Sequence, residues 1–149
     1  MKAETYPFVV RPLPYEYDAL LPVLDAELMT FHHDKHYKTY VDNLNAALAD
    51  YPEIQKMSLT GLLINIDYLP AAILGPVRNN GGGVYNHELY FDSMRSPVGQ
   101  DPAGALAEAL NRDFGSYRQW KEKMKQAAVG VFGSGWAWLV SDKSGVLSI

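Results

Sequence analysis

From Asp25 to Ala49 the chain contains neither proline nor glycine, and Pro52 follows. A stretch of that length without helix breakers predicts one long helix over about 25–49. Such a helix must bury its apolar stripe against a partner of similar length. Within it stands Phe31-His32-His33-Asp34-Lys35-His36-Tyr37-Lys38-Thr39-Tyr40, which holds three of the chain's four histidines. At about 100° per residue, His32, His36 and Tyr40 share one narrow sector. Leu28 one turn earlier and Leu44 one turn later place that sector on the apolar stripe. Asp34, Lys35, Lys38 and Asp42 fall mostly on other faces. His33 points away from the stripe and is expected at the surface, and nothing is attached to Tyr37. A buried imidazole has to be hydrogen-bonded or bound to something. One histidine on such a stripe is ordinarily a satisfied core residue. Two, with a tyrosine, in consecutive turns point instead to a metal, for which imidazole is the commonest side-chain ligand.

The totals narrow the field. The formal net charge is −4 and no long basic run occurs, so nucleic acid is excluded as a main partner. No apolar run approaches about 18 residues, so no membrane span is expected. Residues 1–7 lack an apolar signal core, which gives a cytoplasmic expectation. There is no cysteine, so any metal must be held by nitrogen and oxygen.

The remaining elements follow in order. Residues 1–14 read as extended and proline-punctuated, and a compact loop carries Tyr15 and Tyr17 over the start of the long helix. Ser58 caps a short helix from Leu59 to about Leu69. A loop with Gly75 and Pro76 comes next, then a helix through about Met94. On that helix Val84, His87, Phe91 and Met94 form an inward stripe. Gly81, Gly82 and Gly83 weaken its start by about 1 kcal/mol each. They imply a close approach of two helices or room for a bound group; a phosphate loop lacks both its strand and its Lys-Ser/Thr. Residues 96–100 read as a linker. Asp101 caps a helix with Pro102 at its first position, running to about Arg112. Ser116 to Gln119 is a capping box opening a helix that Gly130 ends. Phe132 to Val140 reads as a strand, residues 141–145 as a turn, and Val146 to Ile149 as a second strand.

His32 and His87 thus lie on inward faces of two long helices expected to pack as an antiparallel hairpin. Imidazoles from facing helices are a common way to build a metal site in a helical layer. Redox iron or manganese sites commonly add a carboxylate. Asp34 and Glu88 adjoin the imidazoles in sequence, but each points to another face of its helix.

Several motifs, in order and well spaced, resemble the iron/manganese superoxide dismutase family along essentially the whole chain. They are Leu13-Pro14-Tyr15 through Leu20, His32-His33-Asp34-Lys35-His36 with Tyr40-Val41 and Asn43, Asn79-Asn80-Gly81-Gly82-Gly83 with Asn86-His87, Asp113-Phe114-Gly115-Ser116, and Phe132-Gly133-Ser134-Gly135-Trp136-Ala137-Trp138-Leu139. The resemblance implies an α+β protein: a long antiparallel α-hairpin over 1–95, then an α/β domain over 96–149 with a small antiparallel sheet, incomplete in this chain. It implies His32 and His87 as metal ligands, and Tyr40 and His36 as parts of a proton-delivering chain. It implies Trp136, and less closely Trp138, as an aromatic wall. Each has a plainer reading as a core or surface side chain. The implied cofactor is manganese or iron. Manganese is favoured because Gly83 stands where iron-type relatives tend to carry glutamine. The implied substrate is superoxide, and the implied assembly a homodimer or tetramer.

Relatives of that family continue past the second strand, with a third strand and an Asp-x-Trp-Glu-His segment that supplies two further metal ligands. The present sequence ends at Ile149. From these residues alone the expected site is half a ligand set, with weak or absent activity. Two alternatives accompany the dismutase: a shortened, metal-poor relative acting as an interaction protein, and a metal-binding module completed by another chain.

Overall fold

The computed structural model describes residues 5–97 and 99–149. It falls into two compact units, Met1–Pro97 and Val98–Ile149.

The first unit is built on the long helix. Asp25 caps it, its carboxylate accepting from the Leu28 amide at 2.7 Å. The helix proceeds as α1 (Ala26–Thr30), a π-helical segment (Phe31–Tyr37) and α2 (Lys38–Leu48). In the π segment the turns widen, and the Lys38 amide reaches back five residues to the His33 carbonyl. Its buried residues are Met29, His33, Tyr37, Val41, Leu44 and Leu48. The buried stripe is therefore rotated by one position from the expected one at the start of the helix. Leu28 is 49 % exposed, while His33 is 5 % exposed. The cause is distant in sequence: residues 8–17 fold over this face. Asn45 pairs with the Phe8 backbone in both directions at 2.8 Å. His33 Nε2 donates to the Arg11 carbonyl at 2.7 Å. Tyr17 lies over the π segment as expected, whereas the Tyr15 hydroxyl reaches the Phe91 carbonyl of the facing helix at 3.1 Å.

Ser58 does cap α3 (Leu59–Ile64), its hydroxyl accepting from the Gly61 amide at 3.1 Å. The helix stops sooner than expected and gives way to a 3₁₀ turn, Ile66–Tyr68. Then α4 (Ala71–Asp92) runs through Gly75 and Pro76, where a loop was expected, and on through the three glycines. An interior proline costs about 3 kcal/mol. Burial of Ile73, Val77, Val84 and Phe91 outweighs it, at about 1.5–3 kcal/mol for each side chain.

The contacts His32 to Phe91, Tyr40 to Gly83 and Leu44 to Gly81 run in opposite sequence directions, so the hairpin is antiparallel. A Cβ at Gly81 would meet Leu63 at 3.4 Å and Leu44 and Leu59 at 3.7 Å. One at Gly83 would stand 2.3 Å from a Tyr40 ring carbon. Close helix approach is the part these two glycines play. Gly82 faces open space.

In the second unit α5 (Gly104–Phe114) begins after Ala103, later than the expected Asp101 cap. Gly115 ends it at φ +86°, a conformation that glycine adopts without strain. Ser116 caps α6 (Tyr117–Gly130), its hydroxyl accepting from the Gln119 amide at 3.1 Å. Residues 132–139 are not a strand: pairing begins only at β1 (Val140–Ser141), antiparallel to β2 (Leu147–Ser148) with Val140 opposite Ser148. Strand propensity does not form a strand without a ladder partner. Asp142 Oδ1 closes the turn, accepting from the amides of Ser144 and Val146 at 2.8 and 2.9 Å.

The hairpin is tied to α5 by Asp113 Oδ2, which accepts from the Leu147 amide at 2.7 Å. Arg112 donates to the same carboxylate and to the Gly145 carbonyl, each at 2.6 Å. The Arg112 guanidinium, and then the Leu147 amide, hold the Asp113 carboxyl below its ordinary value. Asp113→Ala is expected to speed hydrogen exchange at the Leu147 amide while leaving the amides of α1 to α4 unchanged.

Among the described residues no helix is long and apolar enough to cross a membrane.

Candidate metal centre

The hairpin brings His32 and His87 together. Their ring centroids are 4.9 Å apart, edge to face. Their environments differ. His87 sits in the C-terminal third of α4 and is 4 % exposed. Its Nδ1 donates to the Gly83 carbonyl one turn earlier, at 2.7 Å. That bond places the hydrogen on Nδ1 and the lone pair on Nε2. His32 is half-buried at the margin of the hairpin. Tyr90 and Phe91 lie at 5.2 and 5.3 Å from its ring.

Both imidazoles resist protonation. Burial pushes His32 down to about 4, helped by the neighbouring His87, His36 and His33. Burial also lowers His87; the Gly83 carbonyl opposes this and His36 adds to it. A neutral imidazole is the form that coordinates a metal, so at neutral pH both rings are in the ligating state.

The other expected site residues are placed as follows. Tyr40 lies beside His87 with ring centroids 5.2 Å apart, its ring packed over Gly83. His36 is exposed, 6.0 Å from the His32 ring. Trp136 lies in the second unit, stacked on Trp138 at 5.4 Å. Asp34 and Glu88 turn away from the pair, as expected. Asp34 Oδ1 is 2.7 Å from His33 Nδ1 and accepts the Tyr17 hydroxyl at 2.8 Å. Glu88 accepts the Tyr37 hydroxyl at 2.9 Å. Among the described residues no group of three or more histidine, aspartate or glutamate side chains is arranged to hold an ion. Two nitrogen donors, the His87 one with its tautomer fixed, fit a metal as part of a ligand set, not as a closed cage.

Two side chains of this region carry no signal of their own in the sequence. Tyr37 and His33 are as buried as the core leucines. A spacing of four from Met29 through His33 and Tyr37 to Val41 was the available clue, and it competed with an equally good spacing one residue earlier.

Residues 7–95 match the alpha-hairpin domain of the iron/manganese superoxide dismutases, and residues 102–149 match their C-terminal domain. The chain is 48 % identical over 143 residues to manganese superoxide dismutase 1 of Leptolyngbya boryana, covering 96 % of this chain and 58 % of that protein. It is 47 % identical over 144 residues to the manganese superoxide dismutase of Thermus aquaticus, covering 97 % of this chain and 71 % of that one. With both domains of the hairpin-plus-α/β arrangement matched in order, the chain belongs to the iron/manganese superoxide dismutase family.

Proposed function

We propose that this chain carries out, or forms the larger part of a protein that carries out, superoxide disproportionation: two superoxide ions and two protons give dioxygen and hydrogen peroxide. The observation that carries this is the pair of facing imidazoles, His32 and His87, 4.9 Å apart, with the His87 lone pair fixed on Nε2. They would hold manganese or iron, manganese being favoured by Gly83 and by the names of the relatives. The bound metal supplies one-electron exchange with superoxide.

The rest of the work falls to side chains. Tyr40, beside His87, and His36, exposed one turn from His32, form the route by which protons reach the anion. Lys38 is tied to Asp42 at 2.5 Å, so Lys35 is the lysine of this helix that draws a small anion inward. The protein works in the cytoplasm as a homo-oligomer.

The test is metal content, intact mass and dismutase activity of the purified 149-residue protein. Dismutation with about one manganese or iron per chain supports the proposal. Folded protein that neither takes up metal nor turns over, alone or with a second polypeptide added, overturns it, and supports an interaction role. Activity gained only on adding a second polypeptide identifies a site shared between chains, which the two-donor set also fits.

A further inference from the structure

Tyr37 is 1 % exposed and is enclosed by three aromatic rings. His87 lies parallel to it, with centroids 5.9 Å apart and planes 21° from parallel. His33 and Phe91 lie at 5.5 and 6.0 Å. Its hydroxyl is fixed from two directions. It donates to Glu88 Oε1 on α4 at 2.9 Å and accepts from the Arg11 amide of the N-terminal segment at 3.2 Å. The Arg11 guanidinium in turn lies 3.5 Å from the other Glu88 oxygen. Tyr37 therefore spans from one histidine-bearing helix to the other and meets the latter at the residue next to His87. The Gly83 carbonyl sets the rotation of the His87 ring through Nδ1; a parallel aromatic face sets its tilt.

We propose that Tyr37 is a positioning residue: with Glu88 as its anchor, it holds the His87 ring in the plane that aims Nε2 at the space shared with His32. The consequence for metal rests on the His32–His87 site proposed above; the consequence for His87 itself does not.

The test uses the full chain with ¹⁵N-labelled histidine, first metal-free and then titrated with manganese(II). Tyr37→Phe keeps the ring and its volume and removes the hydroxyl. Glu88→Ala removes the anchor from a position whose side chain is 19 % exposed. Glu88→Gln restores an acceptor oxygen. In the metal-free protein the His87 Nδ1 proton is expected to exchange about tenfold faster with solvent in Tyr37→Phe and Glu88→Ala, with its ring signals broadened. Glu88→Gln is expected to behave as the parent does. Manganese(II) affinity is expected to fall about tenfold in the first two variants and to be retained in the third.

Unchanged His87 signals in Tyr37→Phe and Glu88→Ala overturn the proposal and leave Tyr37 a core tyrosine. Equal loss in Glu88→Ala and Glu88→Gln also overturns it, because charge and not the hydroxyl contact would then matter. If Tyr37→Phe does not fold, the Glu88 pair decides. If the parent takes up no manganese(II), the metal site fails, and the metal-free signals still decide the part played by Tyr37.

Discussion

Gly83→Ala is expected to drive Tyr40 away from His87 and to destabilise the first unit by about 1 kcal/mol. The added Cβ would stand 2.3, 2.5 and 2.7 Å from three carbons of the Tyr40 ring, including Cγ at its root. No rotation of the ring about its own axis relieves a contact at Cγ, so the side chain must change rotamer or the helices must part. Overpacking of this kind costs about 1–3 kcal/mol. Alanine's better helix propensity returns about 1 kcal/mol. The neighbouring glycine provides the control. A Cβ at Gly82 meets nothing within 4 Å, so Gly82→Ala gains the propensity with no clash and is expected to stabilise by about 1 kcal/mol. Urea unfolding of the two variants measures the difference. Nuclear Overhauser contacts between Tyr40 and His87 report whether the ring has moved. Equal stability of the two variants would mean that Tyr40 yields at no cost, and that the glycine is not required for the packing described.

Acid is expected to unfold the metal-free protein earlier than its carboxylates alone would allow. An unfolded histidine takes up its proton near pH 6.5, whereas His32 in the folded chain stays neutral down to about 4. Between these values the unfolded state binds more protons, so stability falls as pH falls. The contribution is fully present above about pH 6.5 and lost by about pH 4. His87, also lowered, acts in the same direction. The full displacement corresponds to about 3 kcal/mol, and partial solvation of the His32 ring reduces this to about 2 kcal/mol. Asp34, Asp113 and Asp142, whose carboxyls lie below their ordinary value of 3.8, contribute only at lower pH. Urea midpoints at pH 7.5 and 4.5 therefore isolate the imidazoles. The double variant His32→Gln, His87→Gln is expected to lose most of the slope. A slope unchanged in that variant would place the acid sensitivity elsewhere.

The expected hairpin and the meeting of His32 with His87 agree with the structure because two independent signals converge on them. One is helical spacing on each long segment; the other is a set of motifs shared with a known family. The face of the long helix was harder. Residues 28, 32, 36, 40 and 44 and residues 29, 33, 37 and 41 both make apolar stripes with a period of four. The choice between them was made by residues 8–17, which bury His33 and Tyr37 through Arg11 and Tyr17. No local pattern contains that information. The strand expected at 132–140 failed for a related reason: a strand needs a second strand beside it, and among the described residues only its last residue, Val140, finds a ladder partner, with Ser141 next to it.

What the sequence determined alone was local. Ser58 and Ser116 cap helices because their hydroxyls meet amides three residues on, and Gly115 ends one because the turn needs a positive φ. Such interactions close within a few residues and survive in any tertiary setting. What only the tertiary structure decided was burial. It carried α4 through Pro76, assigned Gly83 to Tyr40 and left Gly82 bare, and turned Tyr37 from an unremarked helix residue into a brace between two histidine-bearing helices. Burial is a property of two surfaces at once, and one of them always lay elsewhere in the chain.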